Sequence, residues 1–383
     1  MPDHLPVLET RFFNYGGPGT PVVLRTGAIL PDVTLAYETY GTLAPDASNA
    51  ILLFHAMTGS QHAAGWNPSV PGLSVEWNDE CQTGWWDAFI GSGKALDTDK
   101  YFVICANYLG GCYGSTGPSS INPETGAAFG ASFPRLEFAD IVDSQVKLLD
   151  HLGIHRVRAV CGASIGGLMA LEFSVRFPER SESAILLASG MEVQVLQRLM
   201  NFEQIFAIEC DGGFLGGDYL PGPGPVRGLA LARIIAHKTF ISFDTLGARS
   251  RDEIQVPGDH FGAYPLTHPV ESYMLHQANK FVPRFDANSY LRIVEAWQRF
   301  DLAHASGVPD LQSGLERCAG LRFLIFSIAS DVCFYPEEQE RLAQCLELAG
   351  ADVTLRRVDS AKGHDSFLLE PELYEAGIRD LLG

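Results

Sequence analysis

The chain has 383 residues, 46% hydrophobic and 19% charged, and its 27 Lys and Arg against 46 Asp and Glu leave a formal net charge of -19. That length suits one large domain with an insertion, or two domains. No run approaches the roughly 18 consecutive apolar residues of a membrane span, and the excess of acid argues against a nucleic-acid or anionic-membrane surface while leaving room for a small anion in a pocket.

In chain order, the opening "MPDHLPVLETRFFNYGG" lacks a basic patch followed by an apolar block, so no secretory signal is expected. "PVVLRTG", "VTLAYETYG", "AILLFHA", "YFVICAN", "VRAVCG" and "SAILLAS" read as strands, and their Val, Ile and Leu content with little alternation suits burial on both faces. Between them, "FADIVDSQVKLLDHLG" carries one apolar helical stripe and stops at Gly153. Strand alternating with helix predicts an α/β domain around a mainly parallel sheet. After Ser189 the rhythm breaks into helical patterns separated by the Gly- and Pro-rich "DGGFLGGDYLPGPGPVRG", and it resumes at "LRFLIFSIAS". The expected organisation is therefore a core over residues 1–190, a helical lid insertion over 191–315, and the rest of the core over 316–383. Asp286, Asn288 and Ser289 in "RFDANSYL" are good cap residues and predict a helix start inside the insertion. The eight cysteines show no C-x-x-C pair and no metal-ligand spacing, which points to free thiols, no metal and a reducing, cytoplasmic compartment.

Chemistry concentrates at "VCGASIGGLMALEF", where Gly162-Ala163-Ser164-Ile165-Gly166 is a G-x-S-x-G with a strand before it and a helix after it. A serine on that tight turn projects Oγ from the sheet edge, and the Ile165 N–H at the helix N-terminus points toward an oxyanion. The hydroxyl needs a base, and the base an orienting acid, in the chain order Ser, Asp, His. Asp331 follows the strand "LRFLIFSIAS", and His364 in "AKGHDSF" follows the strand "DVTLRRVDS", so both belong at carboxyl ends of strands. The loop in "LLFHAMTGS" is expected to supply the second oxyanion donor, the Met57 N–H. These features together predict an alpha/beta-hydrolase fold with a Ser164–His364–Asp331 triad.

At these residues the chain resembles the homoserine O-acetyltransferase family of alpha/beta-hydrolase-fold acyltransferases. The resemblance runs through "HAMTGSQHAAG", "GWWDAFIGSGKALDT", "GGCYGSTGPSSINPETG", "LLDHLGI", "GASIGGLMALEF", "GLALARIIAHKTF", "VESY", "KFVPRFDANSYL", "SDVCFYP" and "GHDSFLL". It implies a two-step transfer from acetyl-CoA, a co-substrate with no further cofactor, through acetyl-Ser164 to the hydroxyl of L-homoserine, in methionine biosynthesis, by a homodimer pairing through the lid. It also implies that Arg233 meets the acceptor's carboxylate and Asp365 its ammonium, a pairing that a planar guanidinium and a buried carboxylate suit. Phe240 stands where many relatives carry Tyr in "HITY", which removes a hydroxyl from the expected acceptor pocket. Relatives also acylate serine or use a succinyl donor, and the triad alone serves an esterase. Tyr113, where an extra Arg for a second carboxylate might have been expected, favours acetyl. Lys94, Lys280 and Arg299 are available to CoA phosphates.

Overall fold

The computed structural model describes residues 5–252, 260–261 and 264–383. Its centre is an eight-stranded sheet: β1 (Arg11–Gly16), β2 (Asp32–Tyr40), β3 (Ala50–Phe54), β4 (Phe102–Ala106), β5 (Ala159–Ala163), β6 (Ser183–Leu187), β7 (Arg322–Ile328) and β8 (Asp352–Val358). The spatial order is β1-β2-β4-β3-β5-β6-β7-β8. The first two strands run antiparallel to their neighbours, and every pairing from β4 to β8 is parallel. Strands β3, β4, β5 and β6 are buried at every residue, which accounts for their lack of alternation.

Two expectations shift at the N-terminal edge. "PVVLRTG" contributes only Val22–Val23, paired with Ile29–Leu30 in a small hairpin outside the main sheet, while Arg11–Gly16 forms the edge strand. Val22 and Val23 are at least partly exposed, so no buried face extends that strand.

Helices cover both faces of the sheet, with one apolar cluster on each side. α1 (Phe138–His151) and α2 (Ile165–Arg176) belong to the first half of the sheet. Between β6 and β7 come α3 (Val195–Glu209), α4 (Val226–Phe240), α5 (Phe243–Asp252), α6 (Pro269–Phe281) and α7 (Ala287–Gln298), then two short helices. α7 starts at the Asp286 cap, whose carboxylate accepts the Ser289 N–H at 2.8 Å. α8 (Pro336–Leu348) and α9 (Glu375–Leu382) complete the C-terminal part. No helix among the described residues is long and apolar enough to cross a membrane.

Candidate active site

Ser164 sits between β5 and α2 with φ 58° and ψ -130°, a left-handed backbone that costs a non-glycine residue on the order of 1–3 kcal/mol. Close packing holds it there. A Cβ on Gly162 would lie 2.1 Å from the Gly166 carbonyl, and one on Gly166 would lie 2.4 Å from the Phe54 carbonyl, so only glycine lets strand and helix approach. The Ser164 N–H donates to Leu187 O at 3.0 Å, and Ser189 Oγ donates to the Ser164 carbonyl at 2.7 Å.

His364 and Asp331 follow β8 and β7, at the same carboxyl edge of the parallel strands. Nδ1 of His364 is 2.7 Å from Oδ2 of Asp331, and both side chains are buried. The other carboxylate oxygen accepts the N–H groups of Cys333 at 2.8 Å and Phe334 at 2.9 Å, so Asp331 cannot turn away. Ser330 ties the two loops together, donating to Ser360 O at 2.6 Å and accepting the Gly363 N–H at 3.0 Å. The imidazole stacks on Phe334 and meets Phe367 edge-on, with ring centroids at 5.6 and 5.2 Å. Burial pushes the His364 pKa down, but the charge and hydrogen bond of Asp331 outweigh it and hold the group above its ordinary 6.5. Nε2 is buried and has no hydrogen-bond partner, so the Ser164 hydroxyl is not hydrogen-bonded to it.

The loop after β3 is fixed from below. The His55 ring stacks on Tyr108 with centroids 3.6 Å apart, Tyr108 donates its hydroxyl to the His55 carbonyl, and Trp85 Nε1 donates to Ser60 O at 2.9 Å. Burial pushes His55 down to about 4, so it remains neutral beside this loop. Behind it, His62 lies between the Glu38 carboxylate at 2.8 Å and the Gln82 carbonyl at 3.0 Å. The N–H groups of Met57 and Ile165 donate to no other described residue. The Met57 side chain is in the core.

A cavity of about 180 Å³ opens beside this loop, lined by Thr58, Ser60, Glu80, Trp85, Arg233 and Arg284 among others. Arg233, on α4, makes no hydrogen bond or ion pair with any described residue, and its Nε is buried without a partner. Burial and the nearby Arg284 pull its guanidinium down from the ordinary value. Phe240 lies close to both halves of the site, its ring 5.5 Å from Arg233 Cζ and 6.0 Å from the His364 ring. Asp365 is pushed up to about 6 by burial, against the pull of His364, Arg233 and Arg249.

Sequence reasoning missed Arg284 and Glu80. The Arg284 side chain bonds to the hydroxyl of Tyr113 at 3.2 Å, so the absence of Arg at 113 does not leave the cavity with one guanidinium. Of the cations considered for CoA phosphates, Lys280 pairs with Glu80, Lys94 with Asp87 at 3.0 Å and Arg299 with Glu295 at 3.8 Å. The residues just past α4 rest on the loop that precedes His364: Ser242 and Thr245 both donate to the Ala361 carbonyl, Thr245 at 2.9 Å. A Cβ on Gly363, which has φ +73°, would lie 2.5 Å from Ser242 N.

The family model of the alpha/beta hydrolase fold matches residues 49–209. A homoserine O-acetyltransferase of Methanohalobium evestigatum is 43% identical over 95% of this chain and 71% of its own length. The chain belongs to the homoserine O-acetyltransferase family. Relatives and structural neighbours differ in the activity they are named for. A homoserine O-succinyltransferase of Laribacter hongkongensis is 42% identical over 99% of this chain and 96% of its own. Among solved structures, the homoserine O-acetyltransferase of Bacillus anthracis superposes with a TM-score of 0.86 at 25% identity, covering 99% of this chain and 98% of its own. Esterase E22 superposes at 0.85 with 26% identity, covering 98% and 100%.

Proposed function

We propose that this chain is an O-acyltransferase that moves the acetyl group of acetyl-CoA to the side-chain hydroxyl of L-homoserine through an acyl-serine intermediate, a step of methionine biosynthesis. Ser164 Oγ attacks the thioester carbonyl while its proton passes to His364 Nε2, and the oxyanion is received by the N–H groups of Met57 and Ile165. The C–S bond breaks, the proton goes to the departing thiolate, and CoA leaves as the thiol. The acceptor hydroxyl then attacks acetyl-Ser164, gives its proton to the same nitrogen, and Ser164 recovers it as the ester is released. Asp331 holds the imidazole in the tautomer that leaves Nε2 free and stabilises the cation formed in each half-reaction. All of these steps are carried by protein groups, with acetyl-CoA as co-substrate.

The observation that carries the reading is Arg233, an unpaired guanidinium beside a cavity of amino-acid size. An esterase for apolar esters has no use for such a charge. An acceptor with a carboxylate does, and Asp365 on the neighbouring loop suits the ammonium.

Further support concerns assembly and location. The helices over 191–315 act as a lid, and α3 exposes Val195, Leu199, Phe202 and Phe206 along one face, the two phenylalanines each 59% exposed. Such a stripe suits pairing with a second copy. The eight free cysteines suit the cytoplasm.

The test is thiol release from acetyl-CoA or succinyl-CoA with homoserine or serine as acceptor. Acetyl-CoA with homoserine should be fastest, and parallel initial-rate lines at several donor concentrations should accompany it. In folded Ser164→Ala, transfer should fall by about a thousandfold or more. Near-normal release by that variant, or release indifferent to any acceptor, sinks the reading.

A further inference from the structure

The cavity contains two guanidinium groups, and they are not equivalent. Arg233 and Arg284 both pack against the Phe281 ring, with Cζ 4.9 and 5.0 Å from its centroid. Arg233 has no hydrogen-bond or ion-pair partner among the described residues. Arg284 is engaged in a different way: its Nε lies within ion-pair distance of Oε2 of Glu80, at 3.5 Å, without a hydrogen bond, its Nη1 donates to the Tyr113 hydroxyl, and Tyr113 donates back to the Arg284 carbonyl at 2.6 Å. The other oxygen of Glu80 is taken by Lys280 from α6.

Glu80 is held in place by its backbone. It lies in a short helical turn, Asp79–Gln82, where the Asn78 side chain accepts its N–H at 3.2 Å. The far end is tied by the Gln82 carbonyl, which accepts from the Asn67 N–H at 2.9 Å and meets His62.

Acetyl transfer to an amino acid brings one carboxylate into this cavity, that of the acceptor. Transfer of a dicarboxylic acyl group brings two. The second would need a guanidinium of its own, and the one present is already covered by a carboxylate that would repel it.

We propose that Glu80 is a donor-selecting residue: by capping Arg284 it leaves the cavity one open guanidinium, so the site accepts a monocarboxylic acyl thioester and disfavours one whose acyl chain ends in a carboxylate. This rests on the acyltransferase reading above and names a determinant of its donor class.

The experiment follows thiol release from acetyl-CoA or succinyl-CoA at saturating homoserine, so that the acceptor's carboxylate is present while the acyl group turns over. The quantity read is the ratio of the succinyl to the acetyl rate. Because both rates come from one preparation, partial unfolding lowers them together and leaves the ratio intact. In the wild type the ratio should lie well below one. Glu80→Gln, which keeps the shape and removes the charge, should raise it about tenfold or more, Glu80→Ala should raise it similarly, and adding Arg284→Met to Glu80→Gln should take the gain away. A ratio unmoved in both Glu80 variants overturns the proposal, as does a wild type that accepts both donors equally. A gain that survives Arg284→Met also overturns it, because the capped guanidinium is then not what the second carboxylate uses. Acylation by neither donor overturns the acyltransferase reading as well. If acetyl-Ser164 forms but homoserine does not discharge it, the acceptor assignment fails, and the same ratio read with serine as acceptor decides the role of Glu80.

Discussion

Nδ1 of His364 lies 2.7 Å from Oδ2 of Asp331 while Nε2 of the same ring faces no hydrogen-bond partner. The pair gives the first half-reaction a defined pH dependence. The base works only when neutral, and its folded-state pKa is raised above 6.5, so activity should be present at high pH and fall as pH drops through a limb above 6.5. In Asp331→Asn the charge and hydrogen bond that raise it most are gone, while burial, which lowers the value, remains and is opposed only by the weaker charge of Asp365. The limb should move to lower pH, and the rate of Ser164 acylation should fall by about a hundredfold to ten-thousandfold. A pH profile of acylation measured by intact mass checks both, and a limb that stays in place separates Asp331 from the base.

Arg233→Leu distinguishes reading the acceptor from supporting the fold. It should raise the acceptor KM and lower transfer by roughly 2 to 5 kcal/mol, part of that from the acceptor carboxylate left without a partner. Release of p-nitrophenol from a small acetate ester needs only the triad and the oxyanion donors and should survive. Equal damage to both reactions would place Arg233 in the scaffold. Asp365, pushed up to about 6, adds a pH effect of its own: the acceptor KM should rise as pH falls through about 6, where the carboxylate that suits the ammonium is neutralised.

Phe240 touches both sides of the site, since its ring lies 5.5 Å from Arg233 Cζ and 6.0 Å from the His364 ring. Phe240→Tyr should therefore change acceptor choice without changing acylation of Ser164. One neutral hydrogen bond is worth roughly 0.5 to 1.5 kcal/mol, so kcat/KM for homoserine over serine should rise a fewfold to about tenfold. An unchanged ratio places the new hydroxyl out of the acceptor's reach.

The apolar stripe of α3 predicts assembly. Phe202→Glu together with Phe206→Glu puts two charges on a face whose phenylalanines are 59% exposed in the single chain, and the double variant should run as a monomer where the wild type runs as a dimer. Light scattering after size exclusion reads this directly. A wild-type monomer would remove the pairing role from α3.

Much of this was legible from residue order because burial leaves a mark that needs no partner to be seen. Ala50–Phe54 and Ala159–Ala163 are covered on both faces, so each reads as an unbroken apolar run. Arg11–Gly16 is an edge strand with five exposed or half-exposed positions and one buried, and its pairing with Asp32–Tyr40 is invisible in its own composition. The same contrast holds at the site. Ser164, Asp331 and His364 each follow a strand, so local pattern places them on one edge. Glu80 and Arg284 come from a four-residue turn and from the segment after α6, and only the folded chain brings them together. The block "KFVPRFDANSYL" reads as a helix start because Asp286 is one, which masked the guanidinium two residues before it.

The carbonyl of Ala361 couples the helices between β6 and β7 to the loop that aims the base. It receives Ser242 and Thr245, which follow α4, and it lies three residues before His364. Any displacement of that helical segment would carry those two hydroxyls with it and slacken the loop that aims the imidazole. The aim of the base therefore depends on contacts outside the triad, so that a change at residue 242 or 245 would be felt at His364 without touching either substrate.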